Sequence, residues 1–396
     1  MVCGSPPAGD RAASRSPAHA LPTAYCSTVT KPIIHVVGAR PNFMKAGPVL
    51  RALRARGIEQ RLLHTGQHYD SALSEVFFRE LGLPEPDWNL GIGSGSHATQ
   101  TAAMLLAMEP LFSEAQPPLI VVYGDVNSTI AAALVAAKLV IPVAHVEAGL
   151  RSFDDTMPEE VNRRVTDLLA SLLLVTAPEG IANLERAGVI PERIHFVGNP
   201  MIDTLLENLA RFDPSTMRDR LGLPGTYATV TVHRPSNVDR PEAARRIVAM
   251  LEQLSGAIDV VLPLHPRGRA SLEAAGLRAS SRLRITEPLG YIEFMSLVRG
   301  SALVVTDSGG IQEETTVLRI PCLTIRRNTE RPVTITHGTN RLVEPEGVID
   351  AAIAVLTGRW SAPDAPPPLW DGRAGERIGD VIAAWLARRS STGEGA

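Results

Sequence analysis

From Pro32 onward, short apolar runs alternate with longer amphipathic segments, and this alternation constrains the fold more than any other feature of the sequence. The runs typical of buried strands are Ile33–Val37, Arg61–His64, Leu119–Tyr123, Val143–Val146, Leu172–Val175, Ala228–Val232, Val260–Pro263, Arg282–Ile285, Leu303–Thr306 and Cys322–Ile325. Helical segments of roughly 10 to 18 residues lie between them. Strands that alternate with helices predict parallel sheets covered by helices on both faces, which is the α/β class.

The length of the chain and the number of alternating units predict two doubly wound, Rossmann-like domains that face a cleft. A chain of 396 residues is long for one domain and comfortable for two. A turn signal, Gly198-Asn199-Pro200, separates the two sets of strands. We therefore expect an N-terminal domain at residues 31–200 and a C-terminal domain at residues 201–396. Residues 1–30 are rich in Ala, Ser and Pro and lack the apolar core of a signal peptide, so we expect a disordered extension.

Composition excludes several classes of protein. The net charge of −3 argues against a nucleic-acid partner, which would favour a basic surface. No apolar run approaches the roughly 18 residues of a membrane span, so no membrane association is expected. The cysteines, Cys3, Cys26 and Cys322, have neither disulfide nor metal spacing, which favours a reducing, cytoplasmic setting.

The segment from Thr306 to Glu314, Thr-Asp-Ser-Gly-Gly-Ile-Gln-Glu-Glu, is the most informative motif. A strand that ends in Ser-Gly-Gly and turns into a helix offers unpaired N–H groups at the positive end of the helix dipole, and glycine lets a phosphate approach the backbone. Glu313 and Glu314 follow one turn later, where at least one of them is predicted to hold a sugar hydroxyl. The motif therefore indicates a nucleotide-sugar site.

Polar residues follow the other predicted strands as well, at the carboxyl ends where ligands bind in open α/β sheets. The segments are Gly38-Ala39-Arg40-Pro41, Gly124-Asp125-Val126-Asn127, His145-Val146-Glu147-Ala148-Gly149, His233-Arg234-Pro235, His265-Pro266-Arg267 and Asp307-Ser308-Gly309. Both domains are thus predicted to direct polar side chains into one cleft.

Several of these side chains have a functional and a structural interpretation. Arg40, Lys45 and Arg331 suit a diphosphate, although most arginines are simply solvated. Asp125 is either a catalytic carboxylate or the cap of the helix that follows it. Glu147 lies in an apolar strand, where a carboxylate is costly unless paired; Arg151 is the candidate structural partner.

The triplet Pro158-Glu159-Glu160 has the chemistry of a helix start, and Asn162 and Arg163 on the same helix could orient its carboxylates. His233 at a strand end beside Arg234 is a candidate site residue, although a lone histidine is more often structural. No metal site is predicted. His64 and His68 straddle Gly66 instead of sharing a helix face, and Asp154 with Asp155 is better explained as loop charge.

Taken together, these blocks resemble the bacterial UDP-N-acetylglucosamine 2-epimerases, which have the two-Rossmann GT-B fold. The resemblance extends in order from Ile33 to about Leu386. The matching blocks are Gly38-Ala39-Arg40-Pro41 with Lys45, Gly124-Asp125, His145 to Arg151, Pro158-Glu159-Glu160 with Asn162-Arg163, Gly198-Asn199, His233-Arg234, Thr306 to Glu314 and Thr329-Glu330-Arg331-Pro332.

The resemblance implies an isomerase of the non-hydrolysing type that inverts UDP-N-acetylglucosamine at C2 to UDP-N-acetylmannosamine. In this family UDP is eliminated to give a 2-acetamidoglucal, and UDP then adds back with a proton delivered to the opposite face of C2. UDP-N-acetylglucosamine and UDP are the implied ligands, no cofactor is expected, and a homodimer is expected. The C-terminal domain would bind UDP, and the last helix would pack back on the first domain.

The resemblance also implies the site residues. Asp125, Glu147 and Glu159 resemble the catalytic carboxylates, and His233 resembles the active-site histidine. The residues that resemble UDP ligands are Arg40, Lys45, Phe294, Ser308, Gly309, Gly310, Glu314 and Arg331. Among these, Glu314 is expected on the ribose and Phe294 against the uracil.

The chain departs from the family pattern at Asn42, at Gln67-His68-Tyr69-Asp70 and at His233-Arg234-Pro235-Ser236-Asn237. The last two regions form part of a second, activating substrate site in many bacterial members, of which Gln67 and His68 remain as possible allosteric residues. Two other outcomes stay open. A hydrolysing epimerase would release UDP and N-acetylmannosamine, and a GT-B glycosyltransferase would require an acceptor.

Overall fold

A computed structural model of the chain describes Met1 and residues 31–67, 78–223, 225–264, 266–360, 362–363 and 366–392. Within these residues, two sheets of parallel strands lie in chain order, each flanked by helices. The predicted α/β class, with two doubly wound Rossmann-like units, is confirmed.

The first sheet has seven strands in the order β3-β2-β1-β4-β5-β6-β7. They are β1 (Ile33–Val37), β2 (Gln60–His64), β3 (Trp88–Asn89), β4 (Ile120–Tyr123), β5 (Val143–Ala148), β6 (Leu172–Val175) and β7 (Ile194–Phe196). The helices that accompany it are α1 (Arg40–Ala55), α2 (His97–Ala115), α3 (Asn127–Lys138), α4 (Pro158–Leu169), α5 (Pro178–Arg186) and α6 (Pro200–Glu207).

The second sheet has six strands in the order β10-β9-β8-β11-β12-β13. They are β8 (Tyr227–Thr231), β9 (Asp259–Pro263), β10 (Leu283–Thr286), β11 (Leu303–Thr306), β12 (Cys322–Ile325) and β13 (Asn340–Val343). Its helices are α7 (Pro214–Leu221), α8 (Pro235–Val238), α9 (Pro241–Ala257), α10 (Pro266–Ala274), α11 (Tyr291–Arg299), α12 (Gly309–Leu318), α13 (Val333–Thr336), α14 (Val348–Leu356) and α15 (Ala374–Thr392).

The predicted strands match the observed ones at the sheet centres, and the strands that sequence reasoning missed lie at the sheet edges. The missed strands are β3, β7 and β13. Each is partly exposed and mixes polar with apolar residues, whereas the central strands β1, β4, β6, β11 and β12 are buried throughout. A continuous apolar run marks only a strand that is covered on both faces.

The last helix returns to the first sheet. Helix α15 lies along α1, and a Cβ added at Gly375 would stand 2.8 Å from Pro48. Asp203 on α6 accepts hydrogen bonds from the N–H groups of Ala374 at 3.1 Å and Gly375 at 2.7 Å. Since α6 itself contacts α1, the chain after Pro200 still belongs in part to the first unit, and the division at residue 200 stays a prediction.

No described helix has both the length and the apolar content that a membrane crossing requires.

Gly198 should be more sensitive to a side chain than Gly188, although both have a left-handed backbone, with φ of 83° and 80°. A Cβ at Gly198 would lie 2.2 Å from the carbonyl oxygen of Leu369 in the returning segment, and a Cβ at Gly188 would meet nothing within 4 Å. We expect Gly188→Ala to cost about 1–2 kcal/mol for the backbone conformation alone, and Gly198→Ala to cost about 1–3 kcal/mol more for overpacking. Urea unfolding of both variants measures this difference, and equal losses would contradict the contact.

Candidate active site

The carboxyl ends of both sheets open on one cleft, as the sequence predicted. Of the predicted site residues, the first sheet contributes Arg40, Lys45, Asp125 and Glu159 to its lining, and the second contributes His233, Phe294, Ser308, Gly309, Gly310, Glu314 and Arg331. Glu147 lies behind this surface with 3% of its area exposed. The residues brought together are therefore those that the motifs singled out.

Glu147 joins the two sheets through its carboxylate. Lys45 on α1 donates to its Oε2, and Arg331 Nη2, from the loop after β12, donates to its Oε1 at 2.8 Å. The proposed structural pair with Arg151 is wrong, because Arg151 pairs with Asp167 at 2.6 Å. Two cations offset the cost of burying this carboxylate, and both come from residues that were expected to contact UDP.

The backbone of Glu147 is in a conformation that few non-glycine residues adopt. Its φ is 75°, at a register shift in the pairing of β5 with β6. Neighbouring Gly124 also has a positive φ of 63°, and a Cβ there would lie 3.0 Å from Glu147 Oε2 and 3.2 Å from Lys45 Nζ. Such backbone strain is concentrated at functional sites, and the bulge here turns the carboxylate toward the cations.

Asp125 is held by Arg163 and does not cap the following helix. Helix α3 begins after Val126 without a side-chain cap, so that alternative is wrong. Arg163 on α4 donates to both Asp125 and Glu160, and Asn162 Nδ2 donates to the Asp125 carbonyl oxygen at 2.8 Å. Burial by itself raises the pKa of Asp125, but the charge and hydrogen bond of Arg163 outweigh burial and lower the pKa, so the carboxylate is ionised at neutral pH.

The adjacent glutamates of α4 differ in their access to the cleft. Glu160 is buried and accepts hydrogen bonds from the Ser152 N–H at 2.8 Å and the Ser152 hydroxyl at 2.9 Å, as well as from Arg163. Glu159 is half-buried and lines the cleft. Of the two, Glu159 is therefore the one that a substrate can reach.

His145 lies beneath the site and supports it. Its Nδ1 lies 2.7 Å from Asp167 Oδ1, and its Nε2 lies 2.8 Å from the Gly124 carbonyl oxygen. Asp167 also accepts from the Gly149 N–H at 3.2 Å. Sequence reasoning missed Asp167. No local sequence pattern singled it out, because the burial of this face of α4 is apparent only from the packing of the helix.

On the second sheet, Asp307 orients His233. His233 Nδ1 lies 2.9 Å from Asp307 Oδ1, and Asp307 Oδ2 accepts from the N–H groups of His233 at 3.0 Å and Arg234 at 2.9 Å. Burial raises the pKa of Asp307, but His233 and these donors lower it to about 2. Asp307 was part of the predicted motif without a role; it is a positioning residue for the histidine.

The Ser-Gly-Gly motif has the predicted strand-to-helix form. Helix α12 begins at Gly309, directly after Ser308, so its first N–H groups have no partner within the helix. A Cβ at Gly309 would stand 2.6 Å from Arg331 Nη1 and 3.0 Å from Glu330 Oε1, which places the guanidinium beside the helix N-terminus. A phosphate bound here meets a helix dipole and a cation together.

Arg331 is the centre of a buried ion network. Besides Glu147, it pairs with Glu313 at 2.9 Å and with Glu330, and Arg326 Nη2 donates to the other oxygen of Glu330 at 2.6 Å. Burial, with help from the Glu147 charge, raises the pKa of Glu313 to about 7 against the opposing effect of Arg331. Burial acts in the same direction on Glu330, but the arginines outweigh it and hold its pKa well below the usual range.

The two predicted sugar-binding glutamates of α12 are therefore distinct: Glu313 faces Arg331, and Glu314 lines the cleft near Tyr291. Burial raises the pKa of Glu314 to about 8, with Tyr291 opposing the shift and Glu313 adding to it. Glu314 is thus protonated at neutral pH and can both donate to and accept from a hydroxyl.

Of the possible allosteric pair, His68 lies outside the described residues. Gln67 Oε1 accepts from the Ser128 N–H at 3.1 Å and from the Ser128 hydroxyl at 2.6 Å, away from the cleft lining. Their allosteric role stays a prediction. Among the residues that the structure describes, no group of His, Cys, Asp and Glu has an arrangement that could hold a metal ion.

A family model described as UDP-N-acetylglucosamine 2-epimerase matches residues 51–383 of the chain. The UDP-N-acetylglucosamine 2-epimerase of Methanocaldococcus jannaschii is 40% identical over 361 residues, which cover 88% of this chain and 97% of that protein. The UDP-2,3-diacetamido-2,3-dideoxy-D-glucuronate 2-epimerase of Pseudomonas aeruginosa is 39% identical over 315 residues, covering 78% and 88% of the two chains.

A solved structure of the M. jannaschii UDP-GlcNAc 2-epimerase, in complex with UDP-GlcNAc and UDP, is similar throughout. Its TM-score is 0.83 at 38% sequence identity, and the match covers 89% of this chain and 99% of that one. The similarity in sequence and in fold therefore extends over both sheets and the cleft between them.

The raised pKa of Glu314 predicts a loss of stability as the pH rises from mildly acidic values through neutrality. The folded protein keeps this proton up to about pH 8, whereas the ordinary value is 4.5, so stability is lost as pH rises from about 4.5 through about 8. Glu314→Gln cannot ionise and should escape this loss. Its melting temperature should rise relative to wild type between about pH 5 and pH 8, by roughly 2–4 °C for each kcal/mol, and the difference should stay constant above pH 8. Thermal scans of the variant and of Glu114→Gln, at an exposed position, test this; parallel pH profiles for all three proteins would contradict it.

Proposed function

Because the chain belongs to the UDP-N-acetylglucosamine 2-epimerase family, whose members are isomerases, we propose that it interconverts UDP-N-acetylglucosamine and UDP-N-acetylmannosamine without hydrolysis. One observation carries the proposal: Asp125 and Glu159 of the first sheet line the same cleft as the N-terminus of α12 and Arg331 of the second, and Glu147 lies behind that lining in an ion pair with Arg331. Several carboxylates opposite a diphosphate site suit an elimination better than a simple transfer, for which one base suffices.

In this proposal the second sheet holds UDP. The diphosphate lies at the N–H groups of Gly309 and Gly310 beside Arg331, with Arg40 and Lys45 from the first sheet completing its surroundings. Glu314, as a protonated carboxyl group, binds a ribose hydroxyl, and Phe294 packs on the uracil. The hexosamine ring then extends toward the first sheet, where Asp125 and Glu159 line the cleft.

The first chemical step breaks two bonds. A carboxylate takes the proton from C2 while the C1–O bond breaks, so that the electron pair leaves on UDP and 2-acetamidoglucal remains. The C2 proton is not acidic on its own, and departure of UDP therefore has to assist its removal. The helix dipole and the arginines stabilise the charge that develops on the leaving diphosphate.

The second step reverses the first, except that the proton reaches C2 from the other face of the ring. A proton is delivered to C2 from the opposite side, and a diphosphate oxygen of UDP forms the new bond to C1. Inversion requires proton-transfer groups on both faces, which three separate carboxylates together with His233 can supply. UDP has to stay bound between the steps, and a cleft formed by two sheets can retain it by closing.

Proton NMR of the purified protein with UDP-N-acetylglucosamine in deuterated water, without an acceptor, tests the proposal. We expect deuterium at C2 and the appearance of the manno epimer as a nucleotide sugar. Free N-acetylmannosamine with equimolar UDP would assign the chain to the hydrolysing type. Absence of C2 exchange would contradict both epimerase reactions and leave the glycosyltransferase.

Glu147→Gln is the control that assigns the exchange to this site. It should abolish deuterium incorporation, while UDP binding persists because the N-terminus of α12 is untouched. Loss of UDP binding with an intact fold would show that Glu147 is required to hold Lys45 and Arg331 for the diphosphate, and would contradict its assignment to proton transfer alone. The cytoplasmic location predicted from cysteine usage and the homodimer implied by the family resemblance stay predictions.

A further inference from the structure

Arg326, at the end of β12, has a buried donor for which the described structure offers no hydrogen-bond partner. Its side chain is 5% exposed, and Nη2 donates to Glu330 Oε2 at 2.6 Å. Its Nη1 is buried without a hydrogen-bond partner among the described residues, and the residue lines the cleft. A buried N–H group that lacks an acceptor is costly, so a ligand oxygen at this position would be strongly favoured.

Arg326 lies between the buried cations of the second sheet and the loop of the first sheet that leads to Glu159. Glu330 connects it to Arg331, which lies beside Gly309. On the side of the first sheet, Asp154 lies near enough to Arg326 for their charges to interact. The pKa of Asp154 is lowered chiefly by Thr156, and in smaller part by Asn328 and by the charge of Arg326. Asp154 lies in the loop that leads to Glu159. The residues proposed to contact the uracil and the ribose, Phe294 and Glu314, lie on other elements, α11 and α12.

We propose that Arg326 Nη1 donates a hydrogen bond to an uncharged oxygen of the bound hexosamine, either a ring hydroxyl or the N-acetyl carbonyl, and so determines which sugar is accepted. The inference rests on the nucleotide-sugar site proposed above and goes beyond it. Glu330 accepts from Arg326 Nη2 at 2.6 Å, and it also pairs with Arg331 and lies 4.0 Å from Arg234, so Nη1 is the donor of Arg326 that remains for a ligand oxygen. The P. aeruginosa relative is named for a UDP-2,3-diacetamido-2,3-dideoxy-D-glucuronate, whose sugar ring carries other substituents than N-acetylglucosamine. A contact to a ring substituent could therefore distinguish the sugars of related proteins.

Calorimetric titration of Arg326→Lys with UDP and with UDP-N-acetylglucosamine tests this assignment. Lysine keeps the charge beside Glu330 but loses the second arm of the guanidinium. The Kd for UDP-N-acetylglucosamine should rise roughly 10–100-fold, as expected for a lost hydrogen bond to a charged group, and the Kd for UDP should stay unchanged. Arg327→Lys is the matched control, because the Arg327 side chain is 88% exposed, and it should alter neither Kd.

The two ligands separate the possible failures. An equal rise in the Kd for UDP and for UDP-N-acetylglucosamine would overturn the inference. Arg326 would then be a diphosphate ligand or a support for Glu330. Unchanged binding of both would also overturn it. A wild-type chain that binds both ligands without C2 exchange would refute the proposed reaction while leaving this contact testable by the same titrations.

Analogues of UDP-N-acetylglucosamine that lack one ring hydroxyl identify the acceptor. The analogue without the oxygen that Arg326 contacts should bind wild type and Arg326→Lys equally, since the hydrogen bond is then absent from both complexes. If no hydroxyl analogue behaves in this way, the N-acetyl carbonyl is the acceptor, and the deacetylated analogue should remove the difference. A difference that persists for every analogue would contradict a direct contact.

Discussion

The ion pair between Glu147 and Arg331 connects the two sheets, and most of the cleft is organised around it. Its atoms lie 2.8 Å apart, and both side chains are almost fully buried. Removing one partner of such a pair leaves a buried charge and typically costs about 3–5 kcal/mol. Lys45 and Glu313 extend the pair on either side, so that each sheet holds the other's charged group in position.

The same interaction bears on the diphosphate contacts proposed above. In the described structure Lys45 and Arg331 are paired with carboxylates, and Arg331 lies against the N-terminus of α12. A diphosphate bound there competes with Glu147 for these cations. Under the proposed function, substrate binding would therefore loosen the contacts of a carboxylate that has to accept or deliver a proton.

The sequence predicted the centre of each sheet and the residues at the carboxyl ends of the strands, because both follow from local patterns. Buried parallel strands are continuous apolar runs, and ligand residues follow them directly. Pairing between distant residues could not be predicted. Lys45 and Glu147 are 102 positions apart, and Glu147 and Arg331 are 184 apart, so Arg151 was the only nearby candidate for Glu147.

Supporting residues were the other class that the sequence did not reveal. Asp307 and Asp167 each fix a histidine, and Glu330 holds two arginines, yet none has a local pattern that sets it apart from a helix cap or a loop charge. Glu159 and Glu160 were equivalent by sequence, and only the packing of α4 on Ser152 separates the cleft residue from the buried one.

A double-mutant cycle on Glu147 and Arg331 tests the central claim most directly. The free energies of unfolding of wild type, Glu147→Gln, Arg331→Met and the double variant are compared in urea at neutral pH. Coupling across the two sheets predicts an interaction energy of about 1–3 kcal/mol, with the double variant more stable than the sum of the single losses implies. Losses that add to within about 0.5 kcal/mol would show that the pair does not connect the sheets.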